Sequence, residues 1–368
     1  MVAATPHSFL DLLDNYFVNT SFSSSQDSLF VRGHGCVSAA GIGAGAIYQA
    51  CMGELELTEE KRERIAGKET IVSEVRPVDA AALKAAMPKH PRLRRASNVS
   101  KFAITAACEA MGAELVERVQ NQELRLGIVL MFMNGCVNYS NRFYTEVLAD
   151  PSLASPIIFP ETVYNAPASH VAGYLKSEGP AYTLISDSAG WFSSIKIAQD
   201  WLNAGQVDGC LVICAEELDW LVTEAFSLYS GRLHGTEGAA AIYLEKRSSR
   251  GASEVEIQSM IGPCDYTNTA ERRDAIGSAW AIHAVSPDAL LVDGLTGVAR
   301  IDRDEQDILA AWSGKRVSPS AKLGFGGGAT CGFQSIVALE ALKNEHDSAL
   351  VMASGTNQHA FSAHFRKS

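Results

Sequence analysis

Gly179-Pro-Ala-Tyr-Thr-Leu-Ile-Ser-Asp-Ser-Ala-Gly-Trp-Phe-Ser-Ser194 compresses a strand, a turn and the start of a helix into one short segment. Tyr182 to Ile185 is apolar and reads as a short strand. Ser188, Ala189 and Gly190 are small enough for a tight turn, and Trp191 to Asn203 carries apolar residues at helical spacing. A strand-to-helix turn of this kind presents one side chain at a helix N-terminus, where free backbone N–H groups and the helix dipole favour negative charge. Many enzymes keep a nucleophile at such a place. The residue at the apex here is Ser188.

Working outward, strands and helices alternate, which predicts a layered α/β fold. Before the central segment the pattern predicts a strand over Leu29–Arg32, a helix over Gly41–Cys51 and a long helix over Ser97–Leu115 capped by Ser97. A strand over Leu126–Met133 and helices over Tyr139–Leu148 and Ala166–Leu175 follow. After it come strands at Gly209–Ala215 and Gly238–Leu244. The polar stretch Arg247–Ser253 reads as a boundary. Beyond it the theme repeats with less sequence: strands at Val255–Ile261, Leu290–Val292, Ala349–Ala353 and Ala360–Phe365, and helices at Glu271–Ile282, Glu305–Trp312 and Gly328–Leu342. The first 28 residues stand apart, with an amphipathic Ser8–Phe17 and a Ser-rich linker over Thr20–Ser28.

Composition narrows the function. A chain of 368 residues, 47% hydrophobic and 20% charged, has ordinary globular proportions and enough length for two packed halves. Net charge is -11, and basic residues cluster only at Lys61–Arg64 and Arg92–Arg95, which argues against nucleic acid as the main partner. Both clusters read first as solvated surface. The eight cysteines sit mostly in apolar runs, without Cys-x-x-Cys pairs or a Cys/His cluster at metal spacing. They are expected to be reduced, buried thiols of a cytoplasmic protein. No apolar run approaches the ~18 residues that would span a membrane, and the N-terminus shows no basic-then-apolar export signal.

The order of short motifs resembles the β-ketoacyl synthases, the condensing enzymes of fatty-acid and polyketide synthesis, from about Leu29 to the C-terminus. Val31-Arg-Gly-His-Gly-Cys-Val-Ser-Ala-Ala-Gly41 is similar to the family's opening strand and turn, and Arg94–Met111 to its first long helix. Gly179-Pro180 with Tyr182–Ser186 resembles the strand before its nucleophile. Asp208–Glu216 and Gly235-Thr-Glu-Gly-Ala-Ala-Ala241 resemble two later strands. The resemblance implies a thiolase-like fold of two similar α/β halves in a layered α-β-α-β-α arrangement. Residues 1–28 would be an N-terminal extension, 29–250 the first half and 251–368 the second. It implies no cofactor and no metal.

The family's chemistry uses a cysteine that accepts the acyl chain and two histidines that promote decarboxylation and stabilise the enolate. In this sequence the cysteine position falls on Ser188. The first histidine position falls on Asp293, in Val292-Asp-Gly-Leu-Thr-Gly297, and the second on Gly327, in Lys322-Leu-Gly-Phe-Gly-Gly327. The family's late gating loop keeps only its end, Gly355-Thr-Asn357, with Met352-Ala-Ser354 replacing its start. Cys331 reads as too far into its helix to replace the nucleophile, and His359 as a surface or packing histidine near the loop.

With all three catalytic positions degenerate, the expected role is a non-catalytic partner of an active ketosynthase: the chain-length factor of a type II polyketide or aryl polyene system, working with an acyl carrier protein. The heterodimer would form through Tyr182–Ile185. Trp191, Phe192, Met131, Phe132 and Met133 are candidates for tunnel or interface walls, against the plainer reading of ordinary core. The basic clusters would then be candidates for docking an acidic carrier protein. An alternative is an acyltransferase or thioesterase-like enzyme with Ser188 as nucleophile, for which Asp187 and Asp293 are poor bases. His170 and His359 are reachable only through folding. A third reading is a module that holds an acyl chain without acting on it.

Overall fold

The computed structural model describes residues 28–66, 69–246, 255–280, 285–356 and 359–368. The expected Ser8–Phe17 helix, the Ser-rich linker, the Arg247–Ser253 boundary and Asn357 lie outside them, apart from Ser28. In chain order the strands are β1 (Leu29–Ser38), β2 (Gly41–Ile42), β3 (Glu60–Ala66), β4 (Glu69–Arg76), β5 (Leu126–Phe132), β6 (Ala181–Ile185) and β7 (Gly209–Glu216). They continue with β8 (Gly235–Thr236), β9 (Gly238–Glu245), β10 (Val255–Asp265), β11 (Leu290–Val292), β12 (Arg316–Val317), β13 (Ser348–Ser354) and β14 (His359–Lys367).

The main sheet runs β12-β11-β13-β14-β10-β1-β9-β7-β5-β6, with β2 pairing β1 at its side. This order contains a repeat that the residues themselves hide. Among the main strands of the first half, β1, β5, β6, β7 and β9, the order across the sheet is third, second, fourth, fifth, first. Among β10 to β14 it is the same. The directions match as well. Three parallel strands (β6, β5, β7 and β12, β11, β13) are followed by two antiparallel ones in each half. The halves join where β1 runs antiparallel to β10, Leu29 opposite Ile257 and Val31 opposite Val255. The duplication is therefore one of topology.

Helices make the other layers. Helix Asn98–Gln120 covers β1, β9 and β7 on one outer face, beside helix Ala166–Leu175. Its start is capped as expected: the Ser97 hydroxyl accepts from Ser100 N at 3.3 Å. On the opposite outer face, helix Thr269–Trp280 packs on β10 and β14 and against helix Ala299–Leu309. Between the halves lie Gly190–Asn203, on β5 and β7, and Thr330–Asn344, which touches β11 and β13 and also β1 and β9. The arrangement is α-β-α-β-α.

The middle layer is where the halves are fastened. Trp191 and Phe192, the first large side chains of helix Gly190–Asn203, are wholly buried. Phe192 stacks on Phe361 of β14 at 5.7 Å, and Trp191 Nε1 donates to Ser335 Oγ at 2.9 Å. Each such side chain stabilises by ~2 kcal/mol through removal of apolar area from water. A second fastening is the buried contact of His34 Nε2 with Glu340 Oε1 at 2.6 Å, from β1 to helix Thr330–Asn344.

Several expectations shift on contact with the structure. Helix Asn98–Gln120 runs past Leu115, with Gly112 at φ 66 inside it. The helix expected at Glu305–Trp312 is Ala299–Leu309 instead, because Asp302 and Glu305 turn inward and leave their polar neighbours in solvent. The Lys61–Arg64 cluster is part of a β3–β4 hairpin, not a free patch. Lys61 meets Glu74 at 3.2 Å, and Arg64 clasps Glu224 while its guanidinium lies 4.0 Å from the Trp220 ring centroid. The described cysteines are all free, and burial raises every thiol above its usual range. Among the described residues no helix is long and apolar enough to cross a membrane.

Candidate functional site

The turn between β6 and helix Gly190–Asn203 is built as its sequence suggests. Asp187 Oδ1 accepts from Ala189 N at 3.2 Å, and Gly190 N donates to the Asp187 carbonyl at 3.0 Å. These bonds hold Ser188, 2% exposed, at the mouth of the helix. The loop after β13 closes over Asp187 so tightly that a side chain at Gly355 would meet the carboxylate, its Cβ falling 2.2 Å from Oδ2. Any side chain there would have to displace the Asp187 carboxylate, and Gly355 belongs to the loop segment singled out in the sequence.

Ser188 opens onto a cavity of about 250 Å³. One wall is apolar: Met133, Val222, Phe226 and Phe325, the last two packed edge to face at 5.0 Å. The polar lining residues include Asn134, Arg272, Glu305, Gln334 and Thr356. Glu305 is buried, and burial raises its carboxyl above the usual range. It accepts from Gly294 N at 2.8 Å and from Ser354 Oγ at 2.5 Å. Arg272 donates to the same Ser354 hydroxyl at 3.1 Å and faces Asp304 at 3.4 Å.

The three positions expected to carry chemistry part company. Ser188 lines the cavity. Asp293 is buried beside it but engaged elsewhere. Its Oδ1 accepts from Leu295 N at 3.1 Å, and its Oδ2 lies 3.2 Å from Arg316 Nε on the neighbouring strand. Burial first, then the nearby Glu305, pushes its carboxyl up to about 7. Gly327 sits at φ 53 with Glu216 and Asn134 against it: a Cβ would lie 3.3 Å from Glu216 Cγ and 3.4 Å from Asn134 Nδ2. That space belongs to Glu216, whose Oε1 accepts from Asn134 N and Gly328 N, both at 3.2 Å, and from Met133 N. Burial pushes the Glu216 carboxyl up to about 7.

Cys331 corrects an expectation. It stands in the first turn of helix Thr330–Asn344 and lines the cavity that Ser188 also lines. Burial holds its thiol well above the usual range, so it is a poor source of thiolate. Of the five proposed wall residues, Trp191, Phe192, Met131 and Phe132 are wholly buried core and only Met133 reaches the cavity. His359 pairs with Asp265 at 2.8 Å and His170 with Glu161 at 3.0 Å, and neither is among the cavity's lining residues. Sequence reading missed Arg272, Glu305, Gln334 and Asn134. Gln334 left a signal: with Ser335 and Glu340 it is one of three polar residues in a mostly apolar helical run, Cys331–Leu342.

Outside the cavity, Arg92, Arg94 and Arg95 line a surface depression with His170 and Glu161. Glu59, Glu74 and His234 bring their ligand atoms within 4.8 Å of one another, but Arg76 already pairs with Glu59 and Lys61 with Glu74.

No family model matches the sequence, and no curated protein matches it. The fold does match solved structures. A chain of the ishigamide ketosynthase/chain length factor superposes with TM-score 0.74 at 18% identity, covering 92% of this chain and 99% of that one. A chain from the ketosynthase ApeO in complex with its chain length factor ApeC, from Xenorhabdus doucetiae, gives TM-score 0.73 at 15% identity, covering 93% and 98%. A β-ketoacyl synthase from Burkholderia phymatum gives 0.71 at 18% identity, covering 93% and 99%. The chain thus has the α/β fold that ketosynthases and chain length factors share, over nearly the full length of each.

Proposed function

We propose that this chain is a non-catalytic ketosynthase-like subunit, a chain-length factor, that pairs with an active ketosynthase and shapes the space holding the acyl chain in type II polyketide or aryl polyene synthesis. The observation that carries the reading is the make-up of the cavity at Ser188. Condensation needs an activated nucleophile and donors aimed at the developing enolate oxygen. Among the described residues, those lining this cavity include no histidine, and burial holds the thiol of the lining cysteine well above its usual range. Ser188 shares the cavity with Asp302 and Glu305, whose carboxylates already accept hydrogen bonds from protein donors. Asp293 is tied to Arg316, and Gly327 has no side chain to offer.

Pairing is supported by β6, which ends the sheet and leaves one edge unpaired among the described strands. Tyr182 is 56% and Ile185 53% exposed on it, an apolar edge of the kind that adds a second chain. Tyr144, Leu148 and Phe159 expose further apolar surface in the preceding segment. The Arg92–Arg95 depression supplies positive charge on a chain of net charge -11, suited to an acidic carrier protein.

The test is co-expression with the ketosynthase encoded nearest this gene, native mass spectrometry, and a condensation assay with acyl and malonyl carrier protein, repeated with Ser188→Ala. A one-to-one complex whose activity ignores Ser188→Ala is expected. Acyl transfer by this chain alone, lost in Ser188→Ala, would instead make Ser188 a nucleophile.

A further inference from the structure

We infer that the cavity at Ser188 selects an occupant carrying a hydrogen-bond donor, a hydroxyl or amide N–H set on Gln334 Oε1, rather than a plain hydrocarbon chain. The inference rests on the proposed function only in taking the cavity as the place where a chain is held.

The cavity is lined by several buried polar side chains. A carboxylate or amide buried without partners costs free energy, so each polar atom there must be matched by protein or by ligand. The two carboxylates are matched from within. Asp302 Oδ1 accepts from Thr296 N at 2.9 Å and Thr296 Oγ1 at 2.8 Å, and its Oδ2 accepts from Gly297 N at 2.8 Å. Glu305 is matched by Gly294 N and Ser354 Oγ, and Thr330 Oγ1 accepts from Gly326 N at 3.2 Å. Gln334 is only half matched. Its Nε2 donates to the Met352 carbonyl at 2.7 Å, which fixes the amide's orientation. Its Oε1 has no protein partner although the residue is wholly buried and lines the cavity. Thr356 Oγ1, on the same cavity, is likewise buried without a protein partner.

An amide oxygen accepts and cannot donate. Its complement is therefore a donor, and the threonine hydroxyl beside the same space can serve the same group from either role. The cluster of Val222, Phe226 and Phe325 on the same cavity suits an apolar stem. Since an apolar cavity of about 150 Å³ takes benzene, this one holds roughly ten non-hydrogen atoms. That fits a short chain with one polar group and not a long hydrocarbon. The donor has two possible sources, a hydroxyl on the acyl chain or the amide nearest the thiol of the carrier's pantetheine arm, of which only the thiol end would enter a space of this size.

The experiment is calorimetric titration of the full chain, alone and co-purified with its ketosynthase, with octanoate, 3-hydroxyoctanoate and pantetheine. At least one donor-bearing probe should bind about tenfold more tightly than octanoate, and which one does so identifies the source. That preference should fall to within about twofold in Gln334→Leu and shrink in Thr356→Val, a variant that leaves the Gln334–Met352 bond in place. Three results would overturn the inference: octanoate binding as well as both donors, a preference that survives Gln334→Leu in a folded chain, or no probe binding, which leaves Oε1 to solvent only. A chain that shows the preference but never pairs with a ketosynthase would defeat the proposed function and leave this inference standing.

Discussion

The two halves share a strand order but finish their sheets in opposite ways. The first half ends on β6, five residues long, with Tyr182 and Ile185 facing solvent. The second ends on β12, two residues long, where Arg316 reaches back to the buried Asp293 at the end of β11. A long apolar edge invites a partner strand, while a short one headed by an arginine discourages it. Asp293 stands where the resemblance expects a histidine, and its carboxylate now anchors the closed edge. Under the proposed pairing, the first half's edge is the one suited to meet another chain and the second half's is not.

The largest expected effect tests that contrast directly. Ile185→Lys on the open edge should weaken pairing with the ketosynthase by about 2 kcal/mol or more, some 30-fold. Val317→Lys on the closed edge should leave pairing unchanged. Sedimentation velocity of the co-expressed pair reads both, and equal loss from the two variants would erase the distinction between the edges. Next in size is the fastening between halves. His34→Ala should cost about 1–3 kcal/mol in denaturant unfolding. Although burial alone would raise it, the Glu340 carboxyl is held down to about 2 by His34 and then Lys343. A lowered carboxyl stabilises above its unfolded value and loses that contribution as pH falls through the folded one. The wild-type advantage over His34→Ala should therefore fade between about pH 4.5 and 2.

How much of this was legible beforehand follows from which physics leaves a trace in sequence. The Tyr182–Ile185 strand, its turn and the helix after it were readable, because apolar spacing and small residues mark them locally. Ser97 was readable as a cap for the same reason. The repeat of strand order was not, since it is a property of pairing between distant strands. Helix Trp220–Tyr229 and the β3–β4 hairpin were missed. The hairpin's charges looked like a solvated patch, yet they are neutralised by Glu74 and by Glu224 of that helix. At the candidate site, motif order placed Ser188 on the cavity. It could not reveal that Asp293 turns to Arg316, or that Arg272, Glu305 and Gln334 converge from separate helices of the second half.

A smaller effect separates the two buried carboxyls that burial pushes up to about 7, Glu216 in the first half and Asp293 in the second. A raised carboxyl contributes its stability fully below the unfolded value and loses it as pH rises through the folded one. Stability should therefore decline from about pH 4 to 7. Glu216→Gln and Asp293→Asn should each flatten that slope, by on the order of 1 kcal/mol. Asp293→Asn also loosens Arg316 and with it the closed edge, so its hydrogen exchange at Arg316–Val317 should quicken. In Glu216→Gln it should not.

The smallest effect concerns the two helix starts that meet at the cavity. Ser188 precedes helix Gly190–Asn203 of the first half, and Cys331 opens the central helix of the second. A helix N-terminus ordinarily lowers a thiol's pKa. At Cys331 burial outweighs that influence, and the nearby Ser188 hydroxyl only partly offsets it. Iodoacetamide at pH 8 should accordingly label Cys331 far more slowly than a free thiol, and Ser188→Ala should slow it further by removing the one neighbour that favours the thiolate. Peptide mass spectrometry after timed quenching measures both rates. Rapid labelling at pH 8, with rates that fall in Ser188→Ala, would mean that the second half supplies the thiolate missing from the first, and the cavity would have to be counted as an active site.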